Sequence, residues 1–573
     1  MAFSIGIDLG TTNTVVSTGR RSINGGVEVL TEKLPQLSED GRKLVQDTLL
    51  PSFLYVDGDE HNVGIIAKAM KTQFKNNVVS SSKNFIGHRD YKWEIEGKEY
   101  TPELVASYFL SAIRNYLKDK YGDEEQLESA VITVPASFDI DQRNSTRTAA
   151  KLAGFDGEIT LISEPTSAIL DFINEQSKLC DEDKFIDLSD YKKVLVFDLG
   201  GGTCDVAILE IKVVGKEVYV EEIGVSPHTL IGGTNFDAYA VDGIIRDFEN
   251  ENKIKLGEIL SKEELSDLKA KLLITMEDMK VYFSSRYTMK NPSNEEMDKV
   301  IESINLNVTE PGVVNGKPFK YNLTMKRYNE YIKPLLSPEN RKENIIEPIK
   351  ETLSKCNVDV SDIDYIFCVG GMTRYPMVWN TITEFFGKEP LKFSDTMESV
   401  SRGASIYHHY DVVERKSVDK VNEKISSDET GNKDIFVTPK LPETVFLNVK
   451  NGFPIPIIEA NTKAGTPILI EDVLKVTSET ELLLELFSGR SPFDPNLKKQ
   501  ESIRLEFPHA IKPGSSIVLK LEYTSNSILI FEAWLKDDPE IKINVSLEKS
   551  QFTEEEIHEH QESFRINSVK GVV

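Results

Sequence analysis

Cysteine and tryptophan are scarce in this chain of 573 residues, with four of the first and three of the second. Cys180, Cys204, Cys356 and Cys368 stand far apart and make no C-x-x-C or similar ligand spacing, so neither a disulfide framework nor a structural zinc site is expected. Cys204 and Cys368 fall in expected buried strands and read as small buried filler. Long apolar runs are missing too: none approaches the roughly 20 residues that a membrane-spanning helix needs. The amino terminus enters an apolar strand almost at once, without a basic segment followed by a long apolar one, so no secretion signal is expected and a cytoplasmic setting is. Positive charge is in deficit, since 67 Lys and Arg against 93 Asp and Glu give a formal charge of −26. That balance disfavours nonspecific binding to nucleic acid or anionic membrane, both of which require basic surface.

What is present is enough sequence for two or three domain-sized units, because a single hydrophobic core rarely organises so long a chain. Residues 1 to about 412 alternate short β-rich runs (VLVFDLG, AVITVP, DYIFCVGG) with helical stretches (TPELVASYFLSAIRNYLKD, SKEELSDLKAKLLITMEDMKVYF), the signature of an α/β domain. Residues 413–434 lie in a polar stretch of alternating charge without an aromatic and read as a linker. From 435 to 549 the chain turns β-rich, with LKLEY, ILIFEAWL and IKINVSL separated by turn residues, which predicts a β-sandwich. Residues 550–573 open with a capping box, Thr553 and Glu556, and support only a short helical stub. His408-His409 and the His558/His560 pair lack ligand spacing and are expected on solvated helix faces.

Two segments echo each other: IGIDLGTTNTVVST at 5–18 and VFDLGGGTCDVAIL at 196–209. In each, an apolar strand ends in Asp and turns through a Gly/Thr cluster into a second strand. Such a turn presents backbone N–H groups and hydroxyls to a phosphate, and the strand-end carboxylate, Asp8 or Asp198, can hold a hydrated metal ion. Simple turns in buried strands would account for either copy alone; two copies in register point to a duplicated phosphate hairpin that clamps a nucleotide triphosphate. Two further glycine turns fit a nucleotide but are read equally well as a tight turn or a helix cap. They are Gly370-Gly371 in IFCVGGMTRYP, and Gly232, Gly233 and Asn235 in LIGGTNFDAYAVDGII.

The segments IGIDLGTTNT, AVITVPASFDIDQR, SEPTSA, VFDLGGGTCDVAIL, LIGGTNFD and VGGMTRYP occur in the order and approximate spacing of the seventy-kilodalton heat-shock chaperone family. The resemblance spans residues 3 to 410 and extends to 435–549. It implies an α/β actin-like, two-lobed ATPase domain over 1–412, built on duplicated ribonuclease-H-like cores, followed by a peptide-binding β-sandwich. Residue by residue, it implies that Gly10, Thr11, Thr12 and Asn13 line one phosphate hairpin and Gly200, Gly201, Gly202 and Thr203 the other. Asp8 and Asp198 would hold the water shell of Mg²⁺, with K⁺ as an accompanying ion. Lys83 and Glu164 would position the γ-phosphate and the attacking water of ATP, with Asp198, Thr203 and Asp205 completing the catalytic group. For Lys83 the plainer alternative is a solvated surface lysine. Gly232, Gly233, Glu277, Lys280, Ser284, Gly370, Gly371 and Arg374 would line the adenosine site, and Pro135 with Arg143 would pass nucleotide state onward. The implied partners are unfolded or extended polypeptide, a J-domain co-chaperone and a nucleotide exchange factor.

The chain departs from the family pattern at several points. Val281 stands where an arginine usually stacks on adenine, Ser137 replaces a tyrosine, and Met397 replaces an aspartate near the adenosine. The family's apolar linker is represented by Asp434-Ile435-Phe436-Val437, and no counterpart of its helical lid or acidic carboxy-terminal tetrapeptide is expected. Without a lid, peptide is expected to exchange quickly. An ATP-hydrolysing chaperone is therefore weighed against a nucleotide-binding scaffold or co-chaperone with little hydrolysis, and against a small-molecule kinase sharing the two hairpins. The missing arginine removes a stacking contact of roughly 0.5–2 kcal/mol. Val281→Arg is expected to tighten ATP binding measured by titration calorimetry; an unchanged or weaker affinity would show that the position does not face adenine.

Overall fold

The computed structural model describes residues 3–566 apart from 23–25, 72, 89, 123–126, 181–183, 227–228, 294, 315–316, 338–342, 392–394, 411–433, 449–453, 478–479, 496, 501, 525–527 and 548–551. The expected linker therefore lies outside the described residues except for Asp434. The chain is mixed α/β with several separate sheets. In chain order, the strands that position the site are β1 (Phe3–Leu9), β2 (Asn13–Arg21), β3 (Ala130–Val134), β4 (Ile159–Ser163) and β5 (Lys192–Leu199). They continue with β6 (Cys204–Val214), β7 (Glu217–Val225), β8 (Tyr365–Val369) and β9 (Asp434–Thr438). The helices are α1 (Pro102–Tyr121), α2 (Ile140–Leu152), α3 (Glu164–Gln176), α4 (Gly233–Asn252), α5 (Lys262–Lys290), α6 (Ser399–Tyr407) and α7 (Glu554–Ile566). Contacts group the chain into two compact units, one of residues 1–194, 207–227 and 398–573, the other of 195–206 and 228–397. Among the described residues no helix is long and apolar enough to cross a membrane.

In the first unit β1 pairs antiparallel with β2 and parallel with β3, which pairs parallel with β4. All five residues of both β3 and β4 are buried, as expected of strands covered on both faces. One cover is α6, which lies directly on β1 and α3. A Cβ on Gly6 would sit 2.1 Å from the Ser405 nitrogen, and one on Gly403 1.7 Å from the Ser167 carbonyl oxygen, so only glycine permits this approach. Ser4–Ser405 and Ser17–Ser401 hydroxyl pairs, 3.0 and 2.8 Å apart, fill the seam. Arg402 clasps the buried Asp171 of α3 with both its Nε and its Nη2.

This packing corrects the expectation for His408 and His409, each of which is 1% exposed. Because α6 lies on the sheet, its end is carried into the interior. The Ile5 N–H donates to His408 Nδ1 at 2.8 Å, so the proton sits on Nε2, 3.2 Å from Ser129 Oγ. His558 is exposed as expected, whereas His560 is half-buried against Phe552, and burial lowers its pKa.

Two sheets over 444–547 enclose one apolar core in which Leu447, Leu486, Leu505, Leu519, Leu521 and Tyr523 are buried. Ahead of them, β9 runs parallel to β7 with Glu217 opposite Asp434 and Glu221 opposite Thr438. Ile435 is buried, and Phe436 stacks on Tyr219 with ring centroids 5.0 Å apart. The last helix, α7, begins with the expected box: Thr553 N–H donates to Glu556 Oε2 (2.7 Å) and Glu556 N–H to Thr553 Oγ1 (3.2 Å). Phe564 is buried edge-on to Tyr108 of α1, and Gln561 donates to the Lys151 carbonyl and to Asp156.

In the second unit the 195–206 hairpin, with β8 beside β5, meets the start of α4, which packs against α5. Ser261 and Glu264 close a capping box at the start of the 29-residue α5. Asp247 of α4 accepts hydrogen bonds from Tyr321 and Arg327, which ties the 305–324 hairpin and the following helix to it.

Candidate functional site

The site residues of the first unit converge on the carboxyl end of β1. Gly10 opens the turn after Asp8-Leu9, where a Cβ would lie 2.1 Å from the Asn13 carbonyl oxygen. Ser52 braces this turn: its hydroxyl donates to the Gly10 carbonyl (2.8 Å) and its N–H to the Thr12 carbonyl (2.8 Å). Thr133, directly opposite Asp8 in the β1–β3 register, donates to Asp8 Oδ1 at 3.1 Å. Lys83 sits in a short 3₁₀ turn and its ammonium donates to Glu164, the first residue of α3. Both members of the pair are buried, which removes the surface-lysine alternative for Lys83. Burial raises the Asp8 carboxyl to about 7, with the Glu164 charge adding to the effect and Lys83 and Thr133 opposing it.

Burial is the chief cause of that rise, and a cation bound beside the carboxylate would offset it. Among the described residues no group of three or more His, Cys, Asp or Glu is arranged to hold a metal ion. A buried strand-end carboxylate such as Asp8 is the kind of donor that hydrated Mg²⁺ takes alongside water and substrate oxygens.

In the second unit the turn of the 195–206 hairpin is closed by the Gly200 N–H donating to the Thr203 carbonyl (3.0 Å). The start of α4 is locked onto it, with Gly233 N–H to the Gly200 carbonyl (3.0 Å) and Thr234 N–H to the Gly201 carbonyl (2.8 Å). A Cβ on Gly232 would meet the Gly202 nitrogen at 2.5 Å. Gly232 N–H is taken by Asn235 Oδ1, so these residues brace the hairpin with the very groups that sequence reasoning offered to an anion. Gly370 has φ +83°, and a Cβ there would lie 2.5 Å from Asp198 Oδ1. Asp198 and Asp205 are both buried. Cys204 is fully buried, and burial followed by the charges of Asp205 and Asp198 pushes its thiol pKa well up, as expected of inert filler.

The expected adenosine residues gather in the same unit. Ser284 Oγ donates to the Arg374 carbonyl (2.9 Å), and Gly371 lies against the Met397 sulfur. Lys280 Nζ is held by Asp237 Oδ2 (2.8 Å) and the Gly233 carbonyl (3.2 Å). Glu277 and Val281 flank it on α5, and Val281 is 62% exposed. The Arg374 guanidinium is engaged by Asp395 and Thr396, at 2.7 and 2.9 Å.

Pro135 and Arg143 bracket the turn between β3 and α2. Arg143 donates to the Phe138 and Ala136 carbonyls (2.9 and 3.2 Å), and Phe138 N–H donates to the Pro135 carbonyl. Sequence reasoning missed what this turn touches: Lys498 pairs with Asp139 (3.1 Å), and the Asp141 N–H donates to Gln500 Oε1 (3.1 Å). Both partners come from the β-rich region, and no local pattern announces them.

Comparison with known proteins bears on this geometry. A family model described as Hsp70 protein matches residues 4–414. The chain belongs to the Hsp70 family. Chaperone protein DnaK of Thermosipho melanesiensis is 30% identical over 528 residues, covering 91% of this chain and 76% of its own. The proteins of the same name from Thermotoga petrophila and Thermotoga maritima are each 29% identical over 495 residues, covering 86% of this chain and 71% of theirs. The Hsp70 match includes both hairpins, the Lys83–Glu164 pair and the 370–374 turn.

Gly370→Ala is expected to displace Asp198 and weaken Mg·ATP binding by about tenfold or more, equivalent to ~1.4 kcal/mol. Gly387→Ala is the control for backbone strain, because Gly387 has φ +66° with nothing near its Cβ direction. Equal affinities for the two variants in calorimetry would contradict the placement of Asp198.

Proposed function

We propose that this chain is an ATP-dependent chaperone of the Hsp70 type, in which binding and hydrolysis of ATP modulate the hold of a β-sandwich on unfolded or extended polypeptide. On this reading residues 1–412 form an actin-like, two-lobed ATPase domain with duplicated ribonuclease-H-like cores. Residues 413–434 are the polar linker, 435–549 the peptide-binding sandwich, entered through β9 on the edge of β7, and 550–573 a short helical segment. The names of the DnaK relatives support the chaperone assignment.

The observation that carries the hydrolytic half is the buried Lys83–Glu164 pair beside Asp8. Phosphoryl transfer to water requires placement and charge neutralisation more than covalent chemistry. Each hairpin offers a strand-end carboxylate, Asp8 or Asp198, suited to the water shell of Mg²⁺, and a Gly/Thr turn suited to phosphate oxygens. Bound Mg²⁺ would supply neutralisation of phosphate charge. Lys83 donates to the terminal phosphate and to the attacking water, Glu164 accepts from that water, and Thr203 and Asp205 complete the group. The 277–284 face of α5 with the 370–374 turn takes the adenosine, and the Pro135–Arg143 turn carries nucleotide state toward Lys498 and Gln500. The sandwich region leaves Leu469, Val473, Leu483 and Phe493 exposed, apolar surface suited to an extended peptide. A J-domain co-chaperone, an exchange factor and a cytoplasmic setting accompany this reading.

Single-turnover ATP hydrolysis by wild type is expected to exceed that of Lys83→Ala by about 100-fold or more, the range for loss of one well-placed polar group. An apolar heptapeptide is expected to alter the wild-type rate only. Wild-type binding of ATP without hydrolysis above the Lys83→Ala level would instead favour a nucleotide-binding scaffold.

A further inference from the structure

Strand β7 alternates buried and half-buried residues, and its inward positions are Val218, Val220 and then Glu222. A carboxylate at an apolar parity position is costly unless its oxygens are satisfied. Glu222 is 2% exposed and its oxygens are shared between two parts of the first unit. Oε1 accepts the hydroxyl protons of Ser163 and Thr166, the latter at 3.0 Å. Oε2 accepts the backbone N–H of Lys440, at 3.3 Å, just past the end of β9.

A β-bulge makes this sharing possible. In the β6–β7 ladder Ile208 pairs with Gly224 and Leu209 with Glu222, leaving Ile223 without a ladder partner on β6. A bulge re-aims the side chains beside it and releases a carbonyl. The Ile223 carbonyl accepts from Lys440 Nζ at 3.1 Å, so Lys440 is held at both its backbone and its ammonium. Glu221, the neighbouring residue, pairs with Lys463 at 2.7 Å.

Ser163 is the N-cap of α3, and Glu164 is that helix's first residue. A serine hydroxyl has one proton. Aimed at Glu222, that proton turns an Oγ lone pair toward the Thr166 N–H, 3.4 Å away, the bond that caps the start of α3. We infer that Glu222 is a positioning residue through which the seating of Lys440 on β7 sets the start of α3, and with it the placement of Glu164. With Lys440 seated, the carboxylate is clamped from both sides and the cap has one polarity. With Lys440 withdrawn, Oε2 faces water, the carboxylate is free to rotate, and the Ser163 proton is free to turn to Thr166 Oγ1, 2.8 Å away. Glu222 touches no substrate. The inference rests on Glu164 serving hydrolysis, as proposed above.

The test uses the full chain with Mg·ATP. Glu222→Val is expected to slow single-turnover hydrolysis about tenfold with unchanged ATP affinity, the signature of an interaction that matters only at the chemical step. Glu222→Gln keeps one oxygen for both hydroxyls but sets an amide NH2 against the Lys440 N–H, so it should slow hydrolysis about as much as Lys440→Ala does. Lys440→Ala should slow the wild type but add nothing in the Glu222→Val background. Independent, multiplying effects of the two changes, or a Gln variant as fast as wild type, would overturn the inference. Should wild type fail to hydrolyse above Lys83→Ala, the hydrolysis reading falls and amide exchange at Thr166 decides this one. Lys440→Ala is expected to speed that exchange about tenfold when Glu222 is present and not in Glu222→Val, in keeping with loss of one cap. Exchange indifferent to Lys440 would overturn the inference on its own.

Discussion

The buried ion pair of Lys83 and Glu164 is the constraint around which the first unit is arranged. Taking an ammonium and a carboxylate out of water costs several kcal/mol per ion, and their attraction repays this only with good geometry and satisfied neighbours. Asp8 lies close enough for both charges to move its pKa, so one ammonium serves two carboxylates. Thr133 supplies a hydroxyl to Asp8, and a strand ladder fixes where that hydroxyl stands. Ser163 caps the helix that begins with Glu164. A left-handed Ser81, φ 58°, starts the turn that delivers Lys83. A cation bound beside Asp8 would offset the burial that holds its carboxyl up.

From that corner a run of polar contacts leads to the carboxy-terminal third of the chain. Ser163 and Thr166 hand their protons to Glu222, which meets Lys440; the Pro135–Arg143 turn meets Lys498 and Gln500 through Asp139 and Asp141. Apolar contacts run beside them, with Ile435 buried and Phe436 stacked on Tyr219. Breaking such pairings costs little per bond when each surface is returned to water, which is what a reversible contact requires. The polar character of this seam, set against the apolar cores on either side of it, suits it to opening and closing.

Much of this was legible in the residues because its signals are local. The hairpin turns announce themselves by Asp and Gly/Thr spacing, the Thr553–Glu556 box by a three-residue interval, and the strands around 516–547 by turn residues between apolar runs. The failures share a cause: they depend on what lies opposite. His408 and His409 read as solvated because SRGASIYHHY looks polar, yet Ser401, Gly403 and Ser405 are small so that α6 can rest on β1 and carry its end inside. The partner of Asp434–Thr438 is not written in that segment; it is the edge of β7. For Lys83 the residues alone leave a surface lysine open beside the catalytic one, and it is Glu164 next to it that closes that alternative. Glu222 leaves a trace in the sequence, a charge on the inward parity of EVYVEEIGV.

The central claim is that nucleotide at the two hairpins governs the β-sandwich through this seam. The measurement that tests it most directly is the dissociation rate of a fluorescent apolar heptapeptide from the full chain, with Mg·ATP and with Mg·ADP. The account predicts release at least about tenfold faster with ATP, a coupling of ~1.4 kcal/mol or more. Equal rates in the two nucleotides would contradict it.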